Sequence, residues 1–338
     1  MIISSNVHLK NLTIHKVNGQ GIRLSQNSIA VEDDFLKDVL VNYFFHSFKD
    51  EERFGFDSME SNPVFHSVST IFDQPELLYE KSVELARRLF ETSDHSNIKP
   101  GDFFTVYFED CVLDDEIVEV VGLFKAENKN TFLKIYSDNE VFGVDPQEGI
   151  NVSKIDKGTL IFNTEKENGY TVFSIDNTNK GNAAQFWNQT FLNLKQVENE
   201  FYQTKQLVHL CQDFINSTVP KEDAPGKIAL FNESMEYLKS NETFSHEGFK
   251  EQVLHEPDLM RSYEAFREEQ SPENEVMQQE EMPISKPAVK KSKKFIRSVI
   301  KLDKNFHVYV HGNREQIEKG FDSGRQKNYY KLYFEEES

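Results

Sequence analysis

The sequence predicts an α+β protein: a largely antiparallel sheet with flanking helices, a helical middle subdomain and a small C-terminal β-rich module. Three observations carry this. Apolar residues recur with helical spacing over 32–48 and 75–91. Short Val-, Ile-, Phe- and Tyr-rich runs, separated by tight turn clusters, fill 103–175. From Ala183 the pattern becomes helical, then gives way to a charged, proline-bearing stretch and further short β runs.

The elements follow in order. Ile2, Ile3, Val7, Thr13, Ile14 and Val17 mark one or two strands. Phe35, Val39, Tyr43 and Phe44 stand at three- and four-residue spacing behind Glu32-Asp33-Asp34, acids that suit a helix N-terminus. Pro75 opens a second helix whose buried stripe is expected from Leu78, Val83, Leu85, Leu89 and Phe90. Strands are expected at Phe103–Phe108, Ile117–Lys125, Phe132–Tyr136, Thr159–Phe162 and Tyr170–Ile175; their short connections favour antiparallel pairing. Helices are expected at Ala183–Gln196, Glu198–Asn216, Lys227–Ser240, Glu247–His255 and Asp258–Glu269. Residues 268–294 read as a flexible linker, with three prolines, high charge and little to bury. Strands at 295–302 and 306–311, a short helix Asn313–Lys319 capped by Asn313 and Gly320, and a strand at Tyr329–Phe334 complete the chain. The division is thus an α+β domain at 1–182, a helical subdomain at 183–267, a linker at 268–294 and a basic module at 295–338.

Composition narrows function. The 338 residues suggest about two domains, and 29 Phe with 12 Tyr supply a core. The two cysteines, Cys111 and Cys211, lie in apolar surroundings without a Cys-x-x-Cys pair, as reduced cytosolic thiols do. No apolar run approaches the length of a membrane span, and no secretion signal is expected. The net charge of −19 excludes a uniformly basic nucleic-acid-binding protein, but the charge is split. Lys286–Lys331 holds 13 Lys or Arg against 4 acids, whereas Glu222–Glu281 holds 16 acids against 5 bases. A basic module can track a phosphate backbone while an acidic body limits indiscriminate binding.

The basic module contains the candidate nucleic-acid-binding residues: Lys290, Lys291, Lys293, Lys294, Arg297, Lys301, Lys304, His307, Tyr309, Arg314, Arg325 and Lys327. On alternating strands, Phe295, Arg297, Val299 and Lys301 share a face, as do His307, Tyr309 and His311. Cations interleaved with rings suit phosphates and exposed bases; the same pattern also suits a half-buried strand with a wet polar face. His307 and His311 lack an evident third metal ligand. The acids around Cys111 (Asp110, Asp114, Asp115 and Glu116) fall between two strands, where a turn explains them as well as a metal does. The loop 176–182 leads from a strand toward a helix but has no nucleotide fingerprint. Trp187 reads as a core residue. No catalytic residue, metal or cofactor is assigned.

Three stretches have a familiar pattern: Val152–Tyr170, Ser174–Asn182 with Gln185-Phe186-Trp187, and Arg297–Gly320. Together they resemble the bacterial nucleoid-associated protein family (NdpA type), and within it the branch of Bacteroidetes-like bacteria. The order of segments matches over essentially the whole chain. The resemblance implies a cytoplasmic, nucleoid-located protein without known catalysis, acting on DNA or on proteins that handle DNA. Better-known proteobacterial members carry a basic Lys-Gly-Arg-type motif where this chain reads Asp176-Asn177-Thr178-Asn179-Lys180-Gly181, so the basic tail is the better DNA candidate here. The expected partner is DNA, without sequence preference and without a membrane. The alternative is a protein-interaction module that binds a DNA-processing enzyme such as a topoisomerase. A homo-oligomer is compatible with either.

Overall fold

A computed structural model describes the chain except residues 1, 5, 49–51, 94–98, 139–140, 179–185, 221–222, 293–298, 303–305, 310–316, 335 and 337–338. It divides into two compact units, Met1–Val197 and Glu198–Ser338.

The first unit contains β1 (Ile2–Ile3), β2 (His8–Asn18), β3 (Gly21–Arg23), α1 (Asp34–Phe45), β4 (Phe54–Phe56), α2 (Pro63–Asp73), α3 (Leu78–Glu91), β5 (Gly101–Leu113) and β6 (Glu116–Ala126). Then come β7 (Asn130–Asp138), β8 (Val141–Gly149), β9 (Lys157–Phe162), β10 (Thr171–Asp176) and, after one π-helical turn, β11 (Leu194–Gln196). Among the described residues the main sheet runs β11-β4-β10-β9-β6-β5-β2-β3, with β1 beside β5, all antiparallel. Strand alternation sends side chains to two cores. Phe103, Tyr107, Val121 and Leu123 pack with α2 and α3 on one face. Phe104, Phe108, Val120 and Phe124 pack with α1 on the other. Burial on both faces explains why β5 and β6 read as nearly continuous apolar runs.

The helix N-termini follow local chemistry. Asp33 caps α1 by accepting from Leu36 N at 2.7 Å, and Asn62 caps α2 by accepting from Val64 N and Phe65 N, with Pro63 in the first turn. On α3 the buried stripe is Leu78, Ser82, Leu85, Ala86 and Leu89. His15 lies over it: its Nδ1 accepts from Ser25 N at 3.1 Å, so Nε2 carries the proton donated to Ser82 Oγ at 2.8 Å. Phe35, expected in the stripe of α1, is exposed; Tyr43, Phe44 and Phe45 take the buried positions.

Two expectations are corrected here. The helix expected at Ala183–Gln196 is not an α-helix in its described part, residues 186–196. Its described part makes a π-turn over Phe186–Phe191, turns at Asn193 with φ +53°, and enters the sheet as β11 against β4. Trp187 is fully buried, as expected, and donates from Nε1 to Thr159 Oγ1 at 2.8 Å. The first unit therefore runs to Val197 rather than 182.

The second unit contains α4 (Glu200–Thr218), α5 (Ala224–Ser240), β12 (Thr243–Ser245), α6 (His246–Phe249), α7 (Pro257–Gln270), α8 (Glu275–Gln278), β13 (Glu281–Pro283) and α9 (Lys286–Ser292). Two hairpins follow: β14 (Val299–Leu302) with β15 (Phe306–Tyr309), and β16 (Ile317–Asp322) with β17 (Lys327–Leu332). The second correction is the linker expected at 268–294: its described part, residues 268–292, is folded. Val276, Met277, Met282, Ile284, Ala288 and Val289 are all buried, most of them in the core of α4 and α5, and β13 pairs with β12. Its apolar residues are few, but nearly all of them point inward. Average composition hides that.

His246, 2% exposed, sits 2.8 Å through Nδ1 from the Tyr263 hydroxyl. Burial, helped by the nearby Arg267 guanidinium, lowers its pKa to about 4. The unfolded imidazole titrates near 6.5, so the stabilising preference for the neutral ring is complete above about pH 6.5 and is lost as pH falls toward 4. Urea unfolding at about pH 7 and pH 4 should show wild type losing about 1–3 kcal/mol more than His246→Asn. An identical pH dependence in the two proteins would contradict this assignment.

Candidate nucleic-acid interface

The candidate residues do not form one face. Lys290 and Lys291 lie on α9. Lys290 is exposed, and Lys291 Nζ stands 5.5 Å from the centre of the Phe201 ring. Lys301, His307 and Tyr309 lie in the β14–β15 ladder, where Lys301 pairs with His307 and Val299 with Tyr309. Arg325 and Lys327 occupy the tip and first strand position of the β16–β17 hairpin. Lys293, Lys294, Arg297, Lys304 and Arg314 lie outside the described residues, as does His311.

The β16–β17 hairpin shows how its sequence presents charge. Asp322 Oδ1 accepts from Gly324 N at 2.9 Å and Arg325 N at 3.0 Å, folding a tight turn that leaves Arg325 exposed at the tip. The expected helix Asn313–Lys319 is not seen in its described part: Ile317 begins β16, and Gly320 is a strand residue opposite Tyr329. A side chain at Gly320 would strike the Tyr329 ring, so glycine here makes room for an aromatic rather than ending a helix. Lys331 Nζ lies 5.4 Å from the Tyr329 ring centre and Lys319 Nζ 6.0 Å from that of Tyr330. Sequence reading missed this pairing of cations with rings; the Lys-Asn-Tyr-Tyr-Lys order at 327–331 is its signal.

Some cations have structural work. Lys286 Nζ donates to Lys239 O at 2.9 Å and to Asn241 O, and lies 3.6 Å from Glu242, closing the C-terminus of α5. Lys331 Nζ stands 3.5 Å from Glu318 Oε2. The cations available to a phosphate are therefore fewer than the basic count.

The loop after β10 behaves differently from a phosphate loop. Lys157, 1% exposed, donates to both Asp176 oxygens at 2.9 Å and to Thr178 Oγ1. Thr178 in turn donates to Glu127 Oε2 at 3.1 Å. The adjacent Lys125, also 1% exposed, donates to Glu127 Oε1 at 3.0 Å and to Lys99 O at 2.7 Å; burial lowers its pKa. Asp156 accepts from Glu127 N, Asn128 N and Asn128 Nδ2 at 2.7–2.8 Å. Asp176 thus holds a buried ammonium and clamps the sheet corner; residues 179–182 lie outside the described residues. Of the acids between β5 and β6, Asp114 pairs with Arg53 at 2.7 Å and belongs to a turn in which Asp114 and Asp115 have positive φ.

A cavity between α2 and α3 is lined by His66, Ser67, Thr70, Lys81, Glu84 and Arg88. Lys81 and Ser67 both donate to Glu84, and Arg88 donates to Thr190 O at 3.3 Å. Among the described residues no cluster of His, Cys, Asp or Glu could hold a metal, and no helix is long and apolar enough to cross a membrane.

Removing one partner of a buried pair leaves an uncompensated charge. Lys157→Met should therefore lower stability by about 3–5 kcal/mol, read as a fall in urea midpoint at unchanged slope. A change under about 1 kcal/mol would mean the pair is worth no more than an exposed one.

No curated protein matches the chain. The model of the family described as nucleoid-associated protein YejK matches residues 13–328, from within β2 to within β17 and across both units, so the chain belongs to that family of nucleoid-associated proteins.

Proposed function

We propose that this chain is a non-enzymatic protein of the cytoplasmic nucleoid that contacts DNA without sequence preference, mainly through phosphates, via its basic C-terminal segment. The observation that carries the reading is the charge split: 13 Lys or Arg against 4 acids over Lys286–Lys331, in a chain of net charge −19. The exposed Arg325 and Lys327 on the hairpin, and Lys290 on α9, support it. Lys293, Lys294, Arg297, Lys301, Lys304, His307, Tyr309 and Arg314 complete the proposed set.

Each neutralised duplex phosphate adds about 0.9 to the slope of log affinity against log salt. With roughly four or five cations engaged, the slope should be about −3.5 to −4.5 for duplexes of unrelated sequence. Fluorescence anisotropy between about 50 and 200 mM salt measures it. Replacing Lys290, Lys291, Lys293 and Lys294 together by Ala should flatten the slope by up to about 3.5, and Arg325→Ala with Lys327→Ala by up to about 2. An unchanged slope in both variants would remove the tail from the interface.

A second reading rests on α7. Only Tyr263 of that helix is buried, while Asp258, Glu264, Glu268 and Glu269 are exposed. Asp258 pairs with Arg261 and Glu264 with Lys250, yet four acids against one exposed Arg leave the face net acidic, which suits a basic protein partner, for instance a DNA-processing enzyme, with DNA contact then indirect. Failure of the intact chain to bind DNA even at low salt would favour it.

A further inference from the structure

We propose that the cleft between α2 and α3 is a binding site for a small hydroxy-carboxylate, with Arg88 as the residue that takes the carboxylate.

Two facing stripes build the cleft. Its walls come from residues 63, 66, 67 and 70 of α2 and residues 81, 84, 85 and 88 of α3. Each set has the i, i+3, i+4, i+7 spacing of a single helix face, and a face turned toward a neighbouring helix is ordinarily apolar. Here the apolar packing is done largely by other positions, Val64, Val68 and Ile71 on α2 and Ala86 and Leu89 on α3. Six of the eight residues lining the cleft are polar or charged, which marks it as more than a packing gap. It holds about 250 Å³, the liquid volume of about eight waters. Sites for drug-sized ligands begin near roughly 300 Å³, so the occupant is smaller than those.

Hydrogen bonds show which lining groups are committed. Glu84 ties the two helices together, accepting from Lys81 Nζ at 2.8 Å and from Ser67 Oγ at 3.3 Å. His66 Nε2 donates to Glu60 O at 2.9 Å, which leaves Nδ1 as an acceptor in the neutral ring. Thr70 Oγ1 donates to His66 O at 2.9 Å. After these bonds the oxygens of Ser67, Thr70 and Glu84 still have lone pairs to offer. Arg88 is short of partners on the donor side. Among the described residues its guanidinium makes one hydrogen bond, from Nη2 to Thr190 O at 3.3 Å, and its Nε is buried with no partner. A guanidinium has five N–H donors, and a buried donor left unpaired is destabilising. The single long bond to Thr190 resists a small rotation toward an acceptor in the cleft only weakly.

Charge and hydrogen bonding select the ligand. Lys81 and Arg88 stand against one carboxylate, Glu84, so the site suits a monoanion better than a dianion. The planar guanidinium fork matches a carboxylate in bidentate geometry. The acceptors beside it require O–H donors, which hydroxyls on the same molecule supply; a plain aliphatic acid leaves them unanswered. Pro63 and Leu85 give carbon contact to the body of the ligand. The Lys81–Glu84 and His66–Glu60 bonds hold the walls before a ligand arrives, which reduces the ordering cost of binding.

Isothermal titration calorimetry of the intact chain tests this with D-gluconate, propionate, glucose and inorganic phosphate as probes. D-Gluconate should bind with a Kd of about 1 mM or below, as a ligand of its size can. Propionate, glucose and phosphate should each bind at least about tenfold more weakly. Arg88→Gln should weaken gluconate binding at least about tenfold, the usual loss for a charge-assisted hydrogen bond. Glu84→Gln removes the repelling charge and releases Lys81, so it should tighten binding by about threefold or more. Gluconate without measurable binding, or bound equally well by Arg88→Gln, would overturn the proposal. Propionate or glucose bound as tightly as gluconate would overturn the joint role of charge and hydroxyls, and tighter binding of phosphate would overturn the choice of a carboxylate. Should Arg88→Gln fail to fold, Glu84→Gln decides: tighter binding supports the site, and weaker or unchanged binding overturns it.

Discussion

The pairing of β5 with β6 is the constraint on which the first unit depends. These strands are covered on both faces, so each residue must satisfy one of two cores. Phe103 and Tyr107 face α2 and α3, while Phe104 and Phe108 face α1. A one-residue slip would exchange the two sets and strand Thr105 and the Gly122 gap against the wrong neighbours. At Gly122 a side chain would strike the rings of Phe124 and Phe108, so the register is keyed by size as well as by polarity.

Buried charge then fixes the corner where the sheet meets its connections. Lys125 and Lys157 bring ammonium groups into a site 1% exposed, and Glu127 and Asp176 neutralise them. Such networks contribute more to a defined geometry than to net stability, since hydrophobic replacements of equal volume can be as stable. The geometry defined here is that of three connections: the roots of the β7–β8 hairpin, the start of β9 and the end of β10. The Asp at 176 therefore has a packing reason in this chain.

How much of this was legible from residues alone varied with local pattern. The strands β5, β6, β9 and β10 and the helix α3 stand out because long apolar runs or clear periodicity mark them. The short β4 and β11 do not, since three residues carry no period, and they exist only because β10 offers an edge to β4, and β4 to β11. β8 is hidden by Asp145, Pro146 and two glycines, residues poor in strands; register with β7 creates it. The stretch 268–294 misled through composition, because half a dozen well-placed apolar side chains outweigh the prolines and charges around them. Within the candidate interface the basic count was readable from the sequence. The ring contacts of Lys319 and Lys331 and the capping by Lys286 were not, because they depend on register and on a helix end far away in sequence.

The central claim is that DNA contact belongs to the basic C-terminal segment and spares the first unit. Hydrogen–deuterium exchange of the full chain, with and without a duplex of arbitrary sequence at low salt, tests it directly. The account predicts slowed exchange in peptides covering 286–332 and no change in the sheet of the first unit or in the corner around Asp176. Protection confined to the first unit, or to the acidic helix α7, would contradict it.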